Sequence, residues 1–213
     1  MDTTTRILER AASELPGATT TLLEAELHAL VSDFCRQTRA WRHWLDGLST
    51  PSDNPGVLDL RDYTYPGRVI GIVDAVWVGP WPVYPVADSQ APQKLRERVG
   101  TPLAYQTTPP RFSEIIFLPT PPQALSDIRV EVFLGPVPGD CSQLPDELYA
   151  DIEEALVDGL VGRMTMKPKK PYSDAKLGAV RLSAYRAGCR RARVQASKGR
   201  TSAPSPWHYP MFA

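Results

Sequence analysis

Residues 127–134, DIRVEVFL, alternate as a half-buried β-strand requires. Apolar side chains at every second position would share one face, and Arg129, Glu131 and Phe133 would share the other. A period of two over eight residues predicts a strand with one face in a core. Further strands are predicted upstream at residues 57–60, 68–78, 103–106 and 114–118.

Prolines divide this central region. Pro80, Pro82 and Pro85 follow the strand predicted at residues 68–78 and argue against continuous pairing after it, because proline donates no backbone hydrogen bond. We therefore expect residues 57–140 to form a small antiparallel β unit with long connections.

Helical patterns flank the central region on both sides. Apolar residues spaced by three, four or seven predict a long helix over residues 20–45, which follows a shorter helix at 4–15. Downstream, Pro145 suits the first position of a helix that ends at Lys167. Ser173 is the predicted N-cap of a last helix, which runs to about residue 196 and has one unusually small-sided face.

These elements predict an α+β fold that is mainly a four-helix bundle, with a small antiparallel β insertion and an extended C-terminal tail. The predicted division is residues 1–56 for the N-terminal helices, 57–140 for the insertion, 141–197 for the C-terminal helices and 198–213 for the tail.

Charge is divided unevenly although the net charge is zero. Residues 140–162 contain acids and no Lys or Arg, whereas residues 163–200 are strongly basic. The last helix therefore faces DNA or an acidic neighbouring copy, or it is a solvated face balanced by the acidic helix before it. Both alternatives stay open here. Arg181, Arg190 and Arg193 are the candidates for a DNA-facing or intersubunit surface.

The tail from Lys198 onward has no helical or strand period but is rich in aromatic residues. Aromatic side chains suit anchors that become ordered on a partner, and the other interpretation is a frayed terminus. The candidate partner-binding residues are Lys198, Arg200, Trp207, His208, Tyr209, Met211 and Phe212.

No reactive constellation is visible in the sequence. The three histidines and three cysteines lack metal-ligand spacing, and the adjacent Glu153 and Glu154 would point apart on a helix. We expect no metal, no cofactor and no catalytic residues. The chain shows no export signal, its cysteine count is odd, and no apolar run approaches membrane-spanning length, so we expect folding in a reducing cytoplasm without membrane insertion.

Several segments resemble the head-to-tail adaptor (connector) proteins of tailed bacteriophages. They are LLEAEL at 22–27, FCRQTRAW at 34–41, GTPLAY at 100–105, IFLPTP at 116–121, LVDGL at 156–160, KKPYSD at 169–174 and RAGCRRAR at 186–193. Their order and spacing carry the resemblance over roughly residues 5–200.

The resemblance implies a structural virion protein that forms a ring of about twelve copies on the portal protein. Such a ring lies in the neck between head and tail, continues the channel for DNA ejection, contacts the phage DNA transiently and binds a downstream tail or nozzle protein. The C-terminal tail would dock on the portal. The alternative is a non-specific nucleic-acid-binding protein that uses the basic helix, and a third hypothesis is a virion-borne cell-wall hydrolase.

Overall fold

A computed structural model describes residues 3–63, 67–87, 95, 97–108, 111–137 and 144–198. The chain divides into two compact units. One, the helical unit, comprises Met1–Ala40 and Pro145–Ala213. The other, the sheet unit, comprises Trp41–Leu144.

Four helices in the described part of the helical unit surround an apolar core. They are α1 (Thr3–Glu14), α2 (Thr20–Thr38), α3 (Asp146–Thr165) and α4 (Ala175–Ser197). The stripe predicted on α2 is confirmed, because Leu23, Leu27, Leu30 and Phe34 are all fully buried. The helices predicted at 4–15, 145–167 and 173–196 are also confirmed, with ends shifted by one or two residues.

Helices α3 and α4 approach each other closely through small residues. A Cβ atom added at Gly188 would stand 2.6 Å from the Cβ atom of Ala155, and one added at Gly162 would stand 2.9 Å from Leu182. A Cβ atom at Gly178 would stand 2.8 Å from Met166. In these three contacts the residue numbers on α3 rise while those on α4 fall, so the two helices are antiparallel. The small-sided face predicted for the last helix is therefore confirmed.

The N-cap of α4 is Asp174 rather than the predicted Ser173. The Asp174 carboxylate accepts hydrogen bonds from the backbone N–H groups of Lys176 and Leu177, each at 3.0 Å. The Ser173 hydroxyl serves the preceding turn instead, where it accepts from the Lys170 N–H and donates to the Lys167 carbonyl. Ser173 thus stabilises the turn before α4, and Asp174 caps α4 itself.

Helix α2 ends at Thr38, so the prediction of a helix to residue 45 is wrong. Arg39 adopts a left-handed conformation, φ 54°, and its N–H donates to the Cys35 carbonyl, which closes the helix. The Thr38 hydroxyl donates to the Phe34 carbonyl at 2.9 Å. Residues 42–48 form a β-strand.

Seven strands lie in the described part of the sheet unit: β1 (Arg42–Leu48), β2 (Val57–Asp59), β3 (Arg68–Val78), β4 (Trp81–Pro85), β5 (Ala104–Thr108), β6 (Arg111–Leu118) and β7 (Ile128–Gly135). Their order across the sheet is β1-β7-β3-β4-β5-β6-β2. The pairing of β4 with β5 is parallel and the other pairings are antiparallel, so the sheet is mixed. An isolated parallel bridge joins Val99 to Thr120.

This sheet overturns the predicted fold class. A seven-stranded mixed sheet is a principal part of the protein, not a small antiparallel insertion in a mainly helical bundle. The prediction missed β1, whose apolar spacing imitated a helix, and β4, whose prolines argued against a strand. The extended tail of the prediction, from residue 199 onward, lies outside the described residues.

Strand β7 lies between β1 and β3 and confirms the buried face predicted in DIRVEVFL, although Phe133, predicted on the other face, is buried as well. Ile128, Val130, Val132 and Leu134 are fully buried. Leu45 of β1 is in register with Val130. The strands predicted at 57–60, 68–78, 103–106 and 114–118 are likewise confirmed as β2, β3, β5 and β6.

Strand β4 accommodates its prolines through short pairings. Pro82 lies in register with Trp77 of β3, and the parallel pairing with β5 involves only Tyr84 and Pro85. Pro82 therefore has no β5 residue in register with it. Proline is tolerated in a strand where no bond to the N–H is needed.

Candidate assembly surface

Most of the predicted portal-binding residues fall beyond the end of α4. Arg200, Trp207, His208, Tyr209, Met211 and Phe212 lie outside the described residues. Lys198 is exposed and caps α4, and its N–H donates to the Val194 carbonyl at 3.1 Å. The tail thus continues from a helix that packs tightly on α3.

Arg181 is engaged by acids of its own chain. Its guanidinium donates to the Asp158 carboxylate at 2.6 Å and also pairs with Glu14. The hydrogen bond that Arg181 donates to Asp158 is the main reason that the pKa of Arg181 is raised above its ordinary value. For this residue, the structure favours the alternative in which basic and acidic helices balance each other within one chain.

Arg190 and Arg193 belong with Arg186 to a different surface, which we call the arginine stripe. The three residues are spaced by four and three along α4, so they lie on one side of the helix. All three are exposed. Within the described ranges, none of the three forms an ion pair with a carboxylate.

The predicted set of Arg181, Arg190 and Arg193 is therefore not one surface. Nine residues separate Arg181 from Arg190, which is about two and a half helical turns, so the two side chains leave the helix on opposite sides. Arg186 was absent from the predicted set. The four-and-three spacing in RAGCRRAR would have revealed it.

The arginine stripe does not stabilise the helix that carries it. Like charges four residues apart destabilise a helix by about 0.2–0.5 kcal/mol. The last turn of α4 contains no basic residue, so favourable interaction with the negative end of the helix dipole is small. The stripe is thus a surface suited to an anionic partner.

Other charged side chains of the helical unit are used for packing. Arg163 of α3 donates to Asp33 of α2 and lies 3.6 Å from Glu26, which in turn accepts from Lys167 at 2.6 Å. Burial is the largest influence on Arg163 and lowers its pKa, but the hydrogen bond and charge of Asp33 help to raise the pKa above its ordinary value. This cluster joins α2 to α3.

A second set of ion pairs joins α1 to α3. Arg6 and Arg10 donate to the two carboxylate oxygens of Glu153 at 2.6 and 2.9 Å. Glu153 therefore has a packing role, which differs from that of its neighbour Glu154. The Glu154 side chain is exposed, and no ion pair to it occurs among the residues that the structure describes.

The sheet unit contains an open cavity of about 540 Å³, lined by residues that include Ser49, Asp53, Asn54, Asp59 and Tyr63. Two of its polar side chains make structural contacts. Asp59 is held by Arg61 through a charge-assisted pair, and the Tyr63 hydroxyl donates to the Ser49 carbonyl at 3.0 Å. Asp59 and Tyr63 therefore support the wall of the cavity.

Among the described residues, no group of three or more His, Cys, Asp or Glu side chains is placed to hold a metal ion. No described helix combines the length and apolar character needed to span a bilayer.

Comparison with known proteins gave no match, either to protein-family models or to curated proteins.

Proposed function

We propose that this chain is a structural head-to-tail adaptor of a tailed phage virion, acting in the neck between head and tail. One observation carries the proposal. Helix α4 presents three exposed arginines on one side that pair with no carboxylate in the described part of the chain, and the aromatic tail follows it in sequence. The order of the segments that resemble adaptor proteins supports the same function.

The portal protein is the proposed partner of the tail. Trp207, Tyr209 and Phe212 stand within six residues and supply large apolar anchors. Aromatic residues commonly dominate the binding energy of an interface, and a short segment can order as it binds. Close packing of α4 on α3 would hold the start of the tail at a defined point.

Docking on the portal would gather about twelve copies into a ring. The local concentration of neighbours on a circular platform favours contacts that are weak in free solution. The ring would continue the DNA channel, contact the phage DNA transiently and bind a downstream tail or nozzle protein. In this function the chain contributes binding surfaces and no catalysis.

Co-sedimentation with portal rings of the same phage tests the proposal. We expect a variant lacking residues 199–213 to keep its helical circular dichroism and lose portal binding. Replacing Trp207, Tyr209 and Phe212 by alanine should have the same effect. The matched control replaces Pro204 and Pro206 by alanine and should still co-sediment. Undiminished binding of the truncated chain contradicts the proposal.

Non-specific nucleic-acid binding is a second candidate function, favoured by the same unpaired arginines. Phosphate contacts need clustered positive charge and no particular motif. If the free chain binds duplex DNA tightly, each phosphate contact should contribute about 0.9 to the slope of log affinity against log salt. A flat plot would exclude this function.

A further inference from the structure

We infer that the arginine stripe of one copy binds the acidic side of α3 in a second copy of this chain, the side on which Glu154 stands. This inference rests on the proposed ring and names the contact between its neighbouring subunits.

The two charged surfaces lie on opposite sides of the α3–α4 pair. The ion pair between Arg181 and Asp158 marks one side. Glu154 precedes Asp158 by four residues, about one turn, and so stands on that same side. Arg190 follows Arg181 by two and a half turns and faces away from it. The arginine stripe therefore cannot reach Glu154 within one chain.

The two surfaces also match in spacing. The stripe follows positions 186, 190 and 193, and acids occupy positions 147, 151 and 154 of α3. Both sets are separated by four and then three residues on a helix, and each spans about 10 Å along its axis. The three positions of the stripe can thus lie opposite three acidic positions in the sequence of α3.

A contact between different patches on opposite sides of a subunit is heterologous. Such a contact repeats from copy to copy, and it produces a closed ring when the rotation between neighbours closes. A second copy fits as the partner because each chain carries both the basic surface and an acidic surface of matching spacing. Surfaces of opposite sign also select the partner and its orientation.

Two charge-reversed variants test the contact without any portal. The first carries Arg190→Glu and Arg193→Glu, and the second carries Asp151→Arg and Glu154→Arg. Each variant alone places like charges opposite each other. In an equimolar mixture, the intact stripe of the second variant meets the intact acids of the first, and the two reversed surfaces also attract. A heterologous contact therefore predicts that only the mixture associates.

Sedimentation velocity of concentrated protein at low ionic strength is the measurement. We expect the wild type to self-associate, each variant alone to associate at least about tenfold more weakly, and the mixture to recover wild-type association. Arg191→Glu, an exposed position off the stripe, is the matched control and should behave as wild type. Far-UV circular dichroism checks that every variant folds.

The outcomes separate this inference from the proposed function. A wild type that remains monomeric, or a mixture that stays as weak as its components, overturns the inference even if portal binding persists. If the first variant loses DNA binding and the mixture does not recover self-association, the stripe is assigned to nucleic acid. That result also overturns the inference. Recovery in the mixture supports the contact, and failure to bind portal would then count only against the adaptor function.

Discussion

Gly188 of α4 lies so close to Ala155 of α3 that a Cβ atom at residue 188 would stand 2.6 Å from the Cβ atom of Ala155. Neither Cβ atom can rotate away. We therefore expect Gly188→Ala to lower the free energy of unfolding by about 1–3 kcal/mol, although alanine favours a helix over glycine by about 1 kcal/mol. Urea denaturation followed by circular dichroism measures the change.

The double variant tests the stated cause. Ala155→Gly removes the opposing Cβ atom, so Gly188→Ala should cost much less in that background than in the wild type. Strictly additive effects of the two substitutions would show that the contact between residues 155 and 188 is not the source of the loss.

Gly67 occupies a position that only glycine fits. Its φ is +114°, and a Cβ atom there would stand 2.6 Å from the Trp41 ring and 2.9 Å from the Gly135 carbonyl oxygen. Backbone strain alone costs about 1–3 kcal/mol, so Gly67→Ala should destabilise the sheet unit by about 2 kcal/mol or more. Thermal denaturation measures the change, and Gly71→Ala is the control. A Cβ atom at Gly71 would stand at an ordinary distance of 3.5 Å from the Phe133 ring. Equal losses in the two variants would contradict this prediction.

Burial raises the pKa of the Cys189 thiol. An unfolded thiol titrates near about 8.5, so the unfolded chain loses this proton at lower pH than the folded chain. The stability that the protonated Cys189 thiol contributes is fully present below the unfolded pKa. It is lost as the pH rises through the higher pKa of the folded state. Under reducing conditions, the free energy of unfolding of the wild type should fall more steeply than that of Cys189→Ala once the pH rises above about 8.5, by up to about 1.4 kcal/mol per pH unit. Parallel pH curves would refute the assignment to Cys189.

Arg163 should matter more for stability than the exposed Arg6, although both make ion pairs. Arg163 is three-quarters buried, and its removal leaves Asp33 and Glu26 without that partner. We expect Arg163→Met to cost about 1–2 kcal/mol in urea denaturation. Arg6→Met, where half of the side chain is exposed, should cost less than about 0.5 kcal/mol. The reverse order would disprove this ranking.

The sequence predicted elements whose signals are local. Alternation gave β7, and apolar spacing gave the buried stripe of α2. The end of α2 was missed because Arg39, not glycine, takes the left-handed position, and because Trp41 and Leu45 continue a helical spacing by coincidence. Strand β4 was missed because proline is tolerated beside short pairings, which depend on neighbours distant in sequence.

The candidate site was predicted only in part for the same reason. The basic character of α4 is visible in the sequence, but one of the two partners of Arg181 is Glu14, which is 167 residues away along the chain. No local pattern distinguishes an arginine bound to such a partner from one that is unpaired. The spacing of positions 186, 190 and 193 was visible, and it became informative once the opposite side of the helix was known to be occupied.

The helical unit consists of two segments of the chain, one that precedes the sheet unit in sequence and one that follows it. During synthesis, α1 and α2 leave the ribosome long before the helices that cover their apolar faces, while every strand emerges within one continuous segment. Domains generally fold as they are completed. The sheet should therefore form first, and the helical unit should form only after translation has passed α4.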